Sequence, residues 1–314
     1  MKKYYIYYSI VLSVVLMIIS CKNRNGNASQ AGIKDTVIIT KTPDSIEVKK
    51  DTNIKTEGAI PNDTVIKSQS AEAVKSQSAG SNIILDSTKK YVYLTFDDGP
   101  QPGTSNVYHN LKALNLKGTF FMVGLHATFG KTMHDLVDSI RDAYPQILLA
   151  NHSYTHAKDH YEYFYHHVQD CFNDFLQAQS SLNVQKKFIR LPGNSAWVLA
   201  TGIQAHPLVK PVCELLDSAG YNVIGWDAEW SFKRDPSGHG SVPVQSAETM
   251  VKMVENALND HHTHRKNAIV LLSHDRMFNH QNYSDSLYKF MYELKTRNPD
   301  YIFETVDHYP DAKM

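Results

Sequence analysis

The stretch Tyr91-Val92-Tyr93-Leu94-Thr95-Phe96-Asp97-Asp98-Gly99-Pro100 joins a short apolar run to two carboxylates and a turn. The run 91–96 predicts a β-strand, and Gly99-Pro100 predicts the turn that ends it. Adjacent carboxylates at a strand end point in different directions, so one can bind an ion while its neighbour stays free beside it. Asp before Gly-Pro is also a common turn residue, so a structural role for the pair is the alternative.

The same alternation of segment types continues to the end of the chain. Apolar, β-rich runs predict strands at 91–96, 119–123, 147–151, 188–191, 222–226, 268–273 and 301–305. One-sided apolar spacing predicts helices at 106–116, 133–144, 161–182, 208–219, 247–262 and 284–297. Such regular alternation predicts an α/β fold, and about seven repeats favour a deformed (β/α) barrel of parallel strands over an open sheet.

Polar residues end or directly follow five of the predicted strands. They are Asp97 and Asp98, His152, Arg190, Asp227 and His274. Because active sites in parallel α/β folds lie at the carboxyl ends of the strands, we expect these side chains to share one site.

A metal site is the first chemistry that these residues allow. His152 and His156 are four residues apart, so both imidazoles of one helical turn can reach a single ion. In a chain with 16 histidines, two solvated histidines are the alternative. With a carboxylate added, N and O ligands favour Zn²⁺, and a bound water becomes a nucleophile near neutral pH.

Five short motifs together resemble the polysaccharide deacetylase family, also called the NodB homology domain or carbohydrate esterase family 4. They occur in family order and span nearly the whole predicted folded part: Thr95-Phe96-Asp97-Asp98-Gly99-Pro100, His152-Ser153-Tyr154-Thr155-His156, Arg190-Leu191-Pro192-Gly193, Asp227-Ala228-Glu229-Trp230 and Leu272-Ser273-His274.

The resemblance implies a catalytic role for four residues. Asp97 is implied to be the catalytic base and His274 the general acid that protonates the leaving amine or alcohol. Arg190 is implied to hold Asp97, and Asp227 to orient His274 and raise its pKa.

The resemblance also implies ligands and pocket walls. Asp98, His152 and His156 are the implied metal ligands, with Zn²⁺ favoured and Co²⁺ or Ni²⁺ as alternatives. Leu272 and Trp230 are implied to form the wall around the acetyl methyl group.

The third motif departs from the commonest family pattern, in which an aromatic residue follows the proline. Here Gly193 follows Pro192, so a backbone N–H can still contribute to an oxyanion hole, but the aromatic ring for sugar stacking is missing. Trp197 is a candidate substitute, and burial in the core is its alternative role.

The N-terminus predicts export. Residues 1–20 have two lysines, an apolar run and small residues before Cys21, which resembles the signal peptide and lipobox of a bacterial lipoprotein. An uncleaved anchor helix is the alternative. Residues 22–90 contain no Phe, Trp or Tyr, which predicts a disordered linker at 21–89 before a catalytic domain at 90–314.

Composition limits the partners. With 32 basic and 32 acidic residues, the formal net charge is zero, which argues against nucleic acid as the partner. We expect a monomer that meets a polysaccharide and is tethered to a membrane of the cell envelope, in the periplasm or at the cell surface, through lipidated Cys21. Cys171 and Cys213 are predicted either to pair or to be buried thiols.

The predicted function is therefore metal-dependent removal of N-acetyl groups from N-acetylglucosamine residues of peptidoglycan or another envelope glycan. An O-acetyl esterase acting on a xylan-like polysaccharide and an inactive glycan-binding lipoprotein are the alternatives. An iron oxygenase shares the ligand types, but has no use for Asp97, Arg190 and His274.

Overall fold

The computed structural model describes residues 85–238 and 240–314. The strands of this part are β1 (Lys90–Gly99), β2 (Gly118–Met122), β3 (Ile147–Asn151), β4 (Phe188–Ile189), β5 (Ala196–Leu199), β6 (Gly202–Ala205), β7 (Asn222–Val223), β8 (Ala228–Glu229), β9 (Phe232–Arg234), β10 (Ser241–Pro243), β11 (Ala268–His274) and β12 (Tyr301–Phe303). The helices are α1 (Thr104–Ala113), α2 (Lys131–Arg141), α3 (Tyr161–His166), α4 (Val168–Ser181), α5 (Lys210–Ser218), α6 (Ala247–Asn259) and α7 (Gln281–Arg297).

Ten strands form one curled sheet in the order β6-β5-β7-β4-β3-β2-β1-β11-β8, with β12 paired to β1. All its pairings are parallel except those of β5 with β6 and β7. The sheet curls into a half-barrel, so the prediction of a deformed (β/α) barrel is confirmed.

The central strand β1 is buried on both faces, which explains its nearly continuous apolar sequence. Val92, Leu94 and Phe96 pack into a cluster with residues of α1, α6 and α7. Tyr91 and Tyr93 point to the opposite face, where they join a second apolar cluster. Each fully buried apolar side chain of this kind contributes about 1.5–3 kcal/mol, so packing on both faces fixes the position of the strand.

Three predicted elements differ from the structure. The predicted helix 161–182 is two helices, because His167 between α3 and α4 has φ −97° and ψ 66°, outside the helical region. The predicted strand 222–226 ends at Val223. The predicted long loop 232–243 contains the β9–β10 hairpin, and the β5–β6 hairpin was missed because the exposed β6 has no apolar run.

Cys171 in α4 and Cys213 in α5 are buried free thiols of one apolar cluster.

No helix in residues 85–238 or 240–314 combines the length and the apolar composition that crossing a membrane requires. The predicted signal peptide 1–20, with Cys21 behind it, and most of the predicted linker 21–89 lie outside the described residues.

The sheet brings the polar residues at its strand ends together. Parallel pairing of β1 with β11 sets Asp97 directly beside His274. Pairing of β3 with β4 joins Asn151 to Ile189, so His152 and Arg190 leave the sheet side by side. The carboxyl ends of four strands therefore face one place.

Candidate active site

A cavity of about 230 Å³ opens at the carboxyl ends of the strands. It is lined by Asp97, Asp98, His152, His156, Tyr161, Leu191, Gly193, Trp226, Glu229, Phe232, Leu272, His274 and Arg276. A larger cavity of about 680 Å³, between residues such as Asn115 and Lys295, has no carboxylate, histidine or cysteine in its lining. The smaller cavity is therefore the candidate active site.

Three of the lining residues form a cluster suited to a metal ion. Ligand atoms of Asp98, His152 and His156 all lie within 4.8 Å of one another. The Oδ1 atom of Asp98 is 3.0 Å from Nε2 of His156 and 3.4 Å from Nε2 of His152. That oxygen is buried and makes no hydrogen bond of good geometry to a described residue. An orphaned buried oxygen facing two imidazoles fits a divalent cation with N and O ligands, such as Zn²⁺.

The charge of Asp98 agrees with a ligand role. Burial raises the pKa of its carboxyl, but the adjacent imidazoles of His152 and His156 outweigh burial and hold the pKa well below its ordinary value. Asp98 is therefore ionised, which is the form that binds a cation.

Each histidine of the cluster is oriented by a partner on its other ring nitrogen. Nδ1 of His152 is 2.8 Å from the carbonyl oxygen of Arg190. Nδ1 of His156 is 3.3 Å from Oδ1 of Asp159. Such partners fix the tautomer and direct Nε2 toward the ion. Sequence reasoning missed Asp159, although an acidic residue three positions after a candidate ligand was visible.

Asp97 is buried next to this cluster and is held by a buried arginine. Nη1 of Arg190 donates to Oδ1 of Asp97 at 3.0 Å, and Oδ2 of Asp97 faces Nε2 of His152 at 3.7 Å. Arg190 also donates to Oγ1 of Thr95 and to two backbone carbonyls, those of Ile224 and Gly225. Burial lowers the pKa of Arg190 and the neighbouring Asp97 opposes this effect. Arg190 therefore fixes the carboxylate of Asp97 in the buried part of the cavity wall.

His274 also lies in the cavity, but its surroundings differ from the expectation. Its Nδ1 atom is buried and has no hydrogen-bond partner among the described residues. Burial lowers the pKa of His274, while Asp98 and Asp97 oppose this shift. The expectation of a raised pKa is therefore wrong.

The expected partner of His274, Asp227, lies elsewhere. Its Oδ1 accepts from the backbone N–H of His264 at 2.6 Å and its Oδ2 from that of Val270 at 2.7 Å. The expectation that Asp227 orients His274 is wrong because the chain at β8 runs beside β11 and sets Asp227 level with Val270, four residues before His274. Two positions later in β8, Glu229 pairs with Leu272 and lines the cavity.

Glu229 is therefore the fourth-motif carboxylate that reaches the site. Burial and the charge of Asp97 raise its pKa. Sequence reasoning gave Glu229 no role, although it shares a strand face with Asp227 at a spacing of two residues.

The comparison with known proteins agrees with this geometry. The family model described as polysaccharide deacetylase matches residues 85–196, which include Asp97, Asp98, His152, His156 and Arg190. Residues 85–196 therefore match the polysaccharide deacetylase family, and the resemblance that the motifs predicted is confirmed for this part of the chain. The family consists of hydrolases that act on acetyl amide or ester bonds of polysaccharides. No curated protein sequence matches the chain.

Solved structures share the fold of the described part of this chain. The catalytic domain of peptidoglycan N-acetylglucosamine deacetylase from Eubacterium rectale aligns with a TM-score of 0.51 and 22% identity, over 75% of this chain and 97% of that one. A CE4 esterase from Streptococcus mutans aligns with a TM-score of 0.50 and 20% identity, over 69% of this chain and 86% of that one. At these identities the alignments establish the fold alone.

Two of the residues that were expected to bind the substrate lie in the wall of the cavity. Leu272 and Gly193 line the cavity, whereas Pro192 does not. Gly193 has φ 65°, and its backbone N–H donates to no described residue, so this amide is free to bind an oxyanion.

The expected aromatic wall is wrong. Trp230 is fully buried and packs edge-on against Phe278 and Phe290 in the core. Trp197 stacks on His264 and does not line the cavity. A tryptophan directly after β8 faces the helices, because the residue before it, Glu229, faces the cavity.

The surroundings of the cluster are completed by the two residues that directly follow His274, which are Asp275 and Arg276. Asp275 is buried and accepts a hydrogen bond from the hydroxyl of Thr104, and burial raises the pKa of its carboxyl well above the ordinary value. Arg276 contacts Oδ2 of Asp98, and its guanidinium lies 4.7 Å from the centre of the Phe232 ring. Sequence reasoning assigned Asp275 no role and did not consider Arg276.

Proposed function

We propose that the domain is a metal-dependent hydrolase that removes N-acetyl groups from N-acetylglucosamine residues of peptidoglycan or another envelope glycan. One observation carries the proposal: the orphaned oxygen of Asp98 faces His152 and His156 beside a buried, arginine-bound Asp97. This arrangement supplies ligands for a divalent cation and a separate carboxylate next to them.

Asp98, His152 and His156 would hold the ion. A divalent cation bound there lowers the pKa of a bound water and polarises an acetyl carbonyl. Zn²⁺ is the favoured ion because the ligands are two imidazoles and one carboxylate, and Co²⁺ and Ni²⁺ are the alternatives.

The residues of the chain divide the remaining work of hydrolysis. Asp97 accepts the proton of the attacking water, and Arg190 fixes its orientation. The free N–H of Gly193 donates to the oxyanion of the tetrahedral intermediate. Leu272 packs against the acetyl methyl group.

His274 donates a proton to the leaving nitrogen. Because burial lowers its pKa, the protonated imidazole is a stronger acid toward the leaving group than a solvated histidine. The neutral form predominates at neutral pH, so only a fraction of the molecules carries this proton at any time.

Two solved structures of the same fold support the two candidate substrate classes. The Eubacterium rectale protein of the same fold is a peptidoglycan N-acetylglucosamine deacetylase, which supports an N-acetylated glycan. The Streptococcus mutans protein is an esterase, which supports O-deacetylation as the second candidate.

We further propose that the protein is an exported lipoprotein, anchored in a membrane of the cell envelope through Cys21. The apolar run and the Ile18-Ile19-Ser20-Cys21 sequence support this placement, and residues 22–90 suit a linker. Peptidoglycan lies within reach of such an anchor.

The test is acetate release by the full-length protein in detergent, with N-acetylglucosamine oligomers, peptidoglycan and acetylated xylan as substrates. We expect release from the first two, loss after chelation and recovery with Zn²⁺ or Co²⁺. His156→Ala should remain inactive, whereas His166→Ala, a matched change at an exposed histidine of α3, should behave as wild type.

Other outcomes would point elsewhere. Acetate release from xylan alone would establish O-acetyl esterase activity. Acetate release that is insensitive to chelation would refute the proposed metal dependence. A protein that binds metal but releases no acetate from any substrate would favour the glycan-binding alternative.

A further inference from the structure

Tyr161, the first residue of α3, forms part of the cavity wall although no motif contains it. Its ring is half-buried and lies edge-on to the ring of His156, with 5.7 Å between the ring centres. It therefore stands directly beside the proposed metal ligands.

The ring of Tyr161 covers the place where Gly193 has no side chain. A Cβ atom built on Gly193 would lie 3.2 Å from each of three ring carbons of Tyr161. Three equal distances mean that the glycine approaches the ring itself rather than the flexible end of a side chain. Any side chain at position 193 would compete with the tyrosine for the same space.

The orientation of the ring is fixed at its other end. The hydroxyl of Tyr161 donates to Oδ1 of Asp159 at 3.1 Å, and the same oxygen lies 3.3 Å from Nδ1 of His156. Burial raises the pKa of Tyr161, so the hydroxyl is a neutral donor. The hydrogen bond from the hydroxyl to Asp159 and the edge-on contact with His156 therefore hold the ring in place as part of the cavity wall.

Resting on the proposed function, we propose that Tyr161 is a specificity-determining residue that stacks on a neutral pyranose ring next to the acetyl group. The C–H face of a pyranose is apolar, and an aromatic ring is the surface that packs against it without requiring charge. The aromatic surface that Gly193 cannot provide thus comes from α3, which the turn His156–Asp159 brings over residue 193.

The test compares Tyr161→Ala, Tyr161→Leu and Tyr161→Phe with Tyr163→Ala. Tyr163 is the matched control because it lies on the same helix, has 68% of its surface exposed and does not line the cavity. KM and kcat are measured with N-acetylglucosamine oligomers, together with metal content. Affinity for the oligomer is measured by calorimetry in an Asp97→Asn background, where turnover does not interfere.

We expect Tyr161→Ala and Tyr161→Leu to raise KM and the oligomer Kd about tenfold, because losing the contact area of one aromatic ring corresponds to roughly one order of magnitude in affinity. The value of kcat should change less, and metal content should stay the same. Tyr161→Phe should recover most of the lost affinity because the ring remains, and Tyr163→Ala should match wild type.

Unchanged KM and Kd in the Ala and Leu variants would overturn the proposal. Loss of metal in those variants would also overturn it, because Tyr161 would then act on His156 through Asp159 and not on the sugar. If Tyr161→Ala does not fold, Tyr161→Leu provides the same comparison. Failure of the proposed function is distinct, since the wild-type protein itself would then release no acetate from the oligomers.

Discussion

Replacing Arg190 by methionine is expected to destabilise the domain strongly, because it leaves a buried carboxylate without its partner. The side chain of Arg190 is fully buried and that of Asp97 is 3% exposed, with 3.0 Å between Nη1 and Oδ1. Methionine keeps the apolar stem but removes the charge, and it also leaves the carbonyls of Ile224 and Gly225 without their donor.

The expected magnitude follows from the burial of the pair. Removing one partner of a buried ion pair costs about 3–5 kcal/mol of unfolding free energy. In a domain of this size each kcal/mol corresponds to about 2–4 °C, so the melting temperature should fall by roughly 6–20 °C. The surface pair Arg297–Glu293, at 2.9 Å, provides the matched control, and Arg297→Met should cost at most about 0.5 kcal/mol.

The assay is thermal and urea unfolding of chelated protein, so that metal binding does not contribute to the stability. The double variant Asp97→Asn/Arg190→Met should be more stable than the sum of the single changes predicts, by about 0.5–3 kcal/mol, because the orphaned charge is gone. A melting temperature of Arg190→Met within 2 °C of wild type, or strictly additive effects in the double variant, would refute the reasoning.

Three further predictions concern turnover, pH and anchoring. Asp97→Asn should lower acetate release by about 10²–10⁴-fold while the metal content stays the same, whereas His156→Ala should lose both activity and metal, as measured by acetate assay and elemental analysis. Burial raises the pKa of Asp227 to about 6, above its ordinary value of 3.8. The native state therefore holds this proton more tightly than the unfolded chain, and about 3 kcal/mol of unfolding free energy, present below pH 4, should be lost as the pH rises through 6. Urea unfolding from pH 4 to 7 should show this loss relative to Asp227→Asn. In whole cells the wild-type protein should incorporate a labelled fatty acid, and Cys21→Ser should not, as measured by gel fluorography.

Each of these has a contrary outcome. An Asp97→Asn protein that turns over at the wild-type rate removes the base assignment. A stability difference between wild type and Asp227→Asn that is constant over this pH range contradicts the shifted pKa. A wild-type protein that incorporates no labelled fatty acid but remains in the membrane favours the uncleaved anchor helix.

The candidate metal ligands could be predicted from the sequence because local rules place them. An apolar run that predicts a β-strand ends just before Asp97 and Asp98, and another ends just before His152. Parallel pairing then brings strand ends to one edge of the sheet whatever the length of the connecting helices. That rule brings Asp98 and His152 together, whereas His156 reaches them through an irregular turn in which Ser153 and His156 have φ values of 70° and 52°.

The fourth motif shows where local rules stop. Asp227 and Glu229 are both acidic and share a strand face, so sequence pattern cannot choose between them. The choice depends on the register of β8 against β11. Pairing with Leu272 brings Glu229 to the cavity, whereas the carboxylate of Asp227 accepts a hydrogen bond from the backbone N–H of Val270 in β11.

The sequence by itself determined the α/β class and the strand ends that carry chemistry, because hydrophobic period and strand polarity are local properties, whereas the expected ligand set came from the resemblance of its motifs to a known family. Only the tertiary structure decided that Glu229 rather than Asp227 reaches the site, that Trp230 belongs to the core and that Tyr161 forms the wall over Gly193. These outcomes depend on register and on packing between residues far apart in the chain. The rest of α3, the whole of α4 and strand β4 separate Tyr161 from Gly193, and no sequence period predicts which ring will fill the space above a glycine.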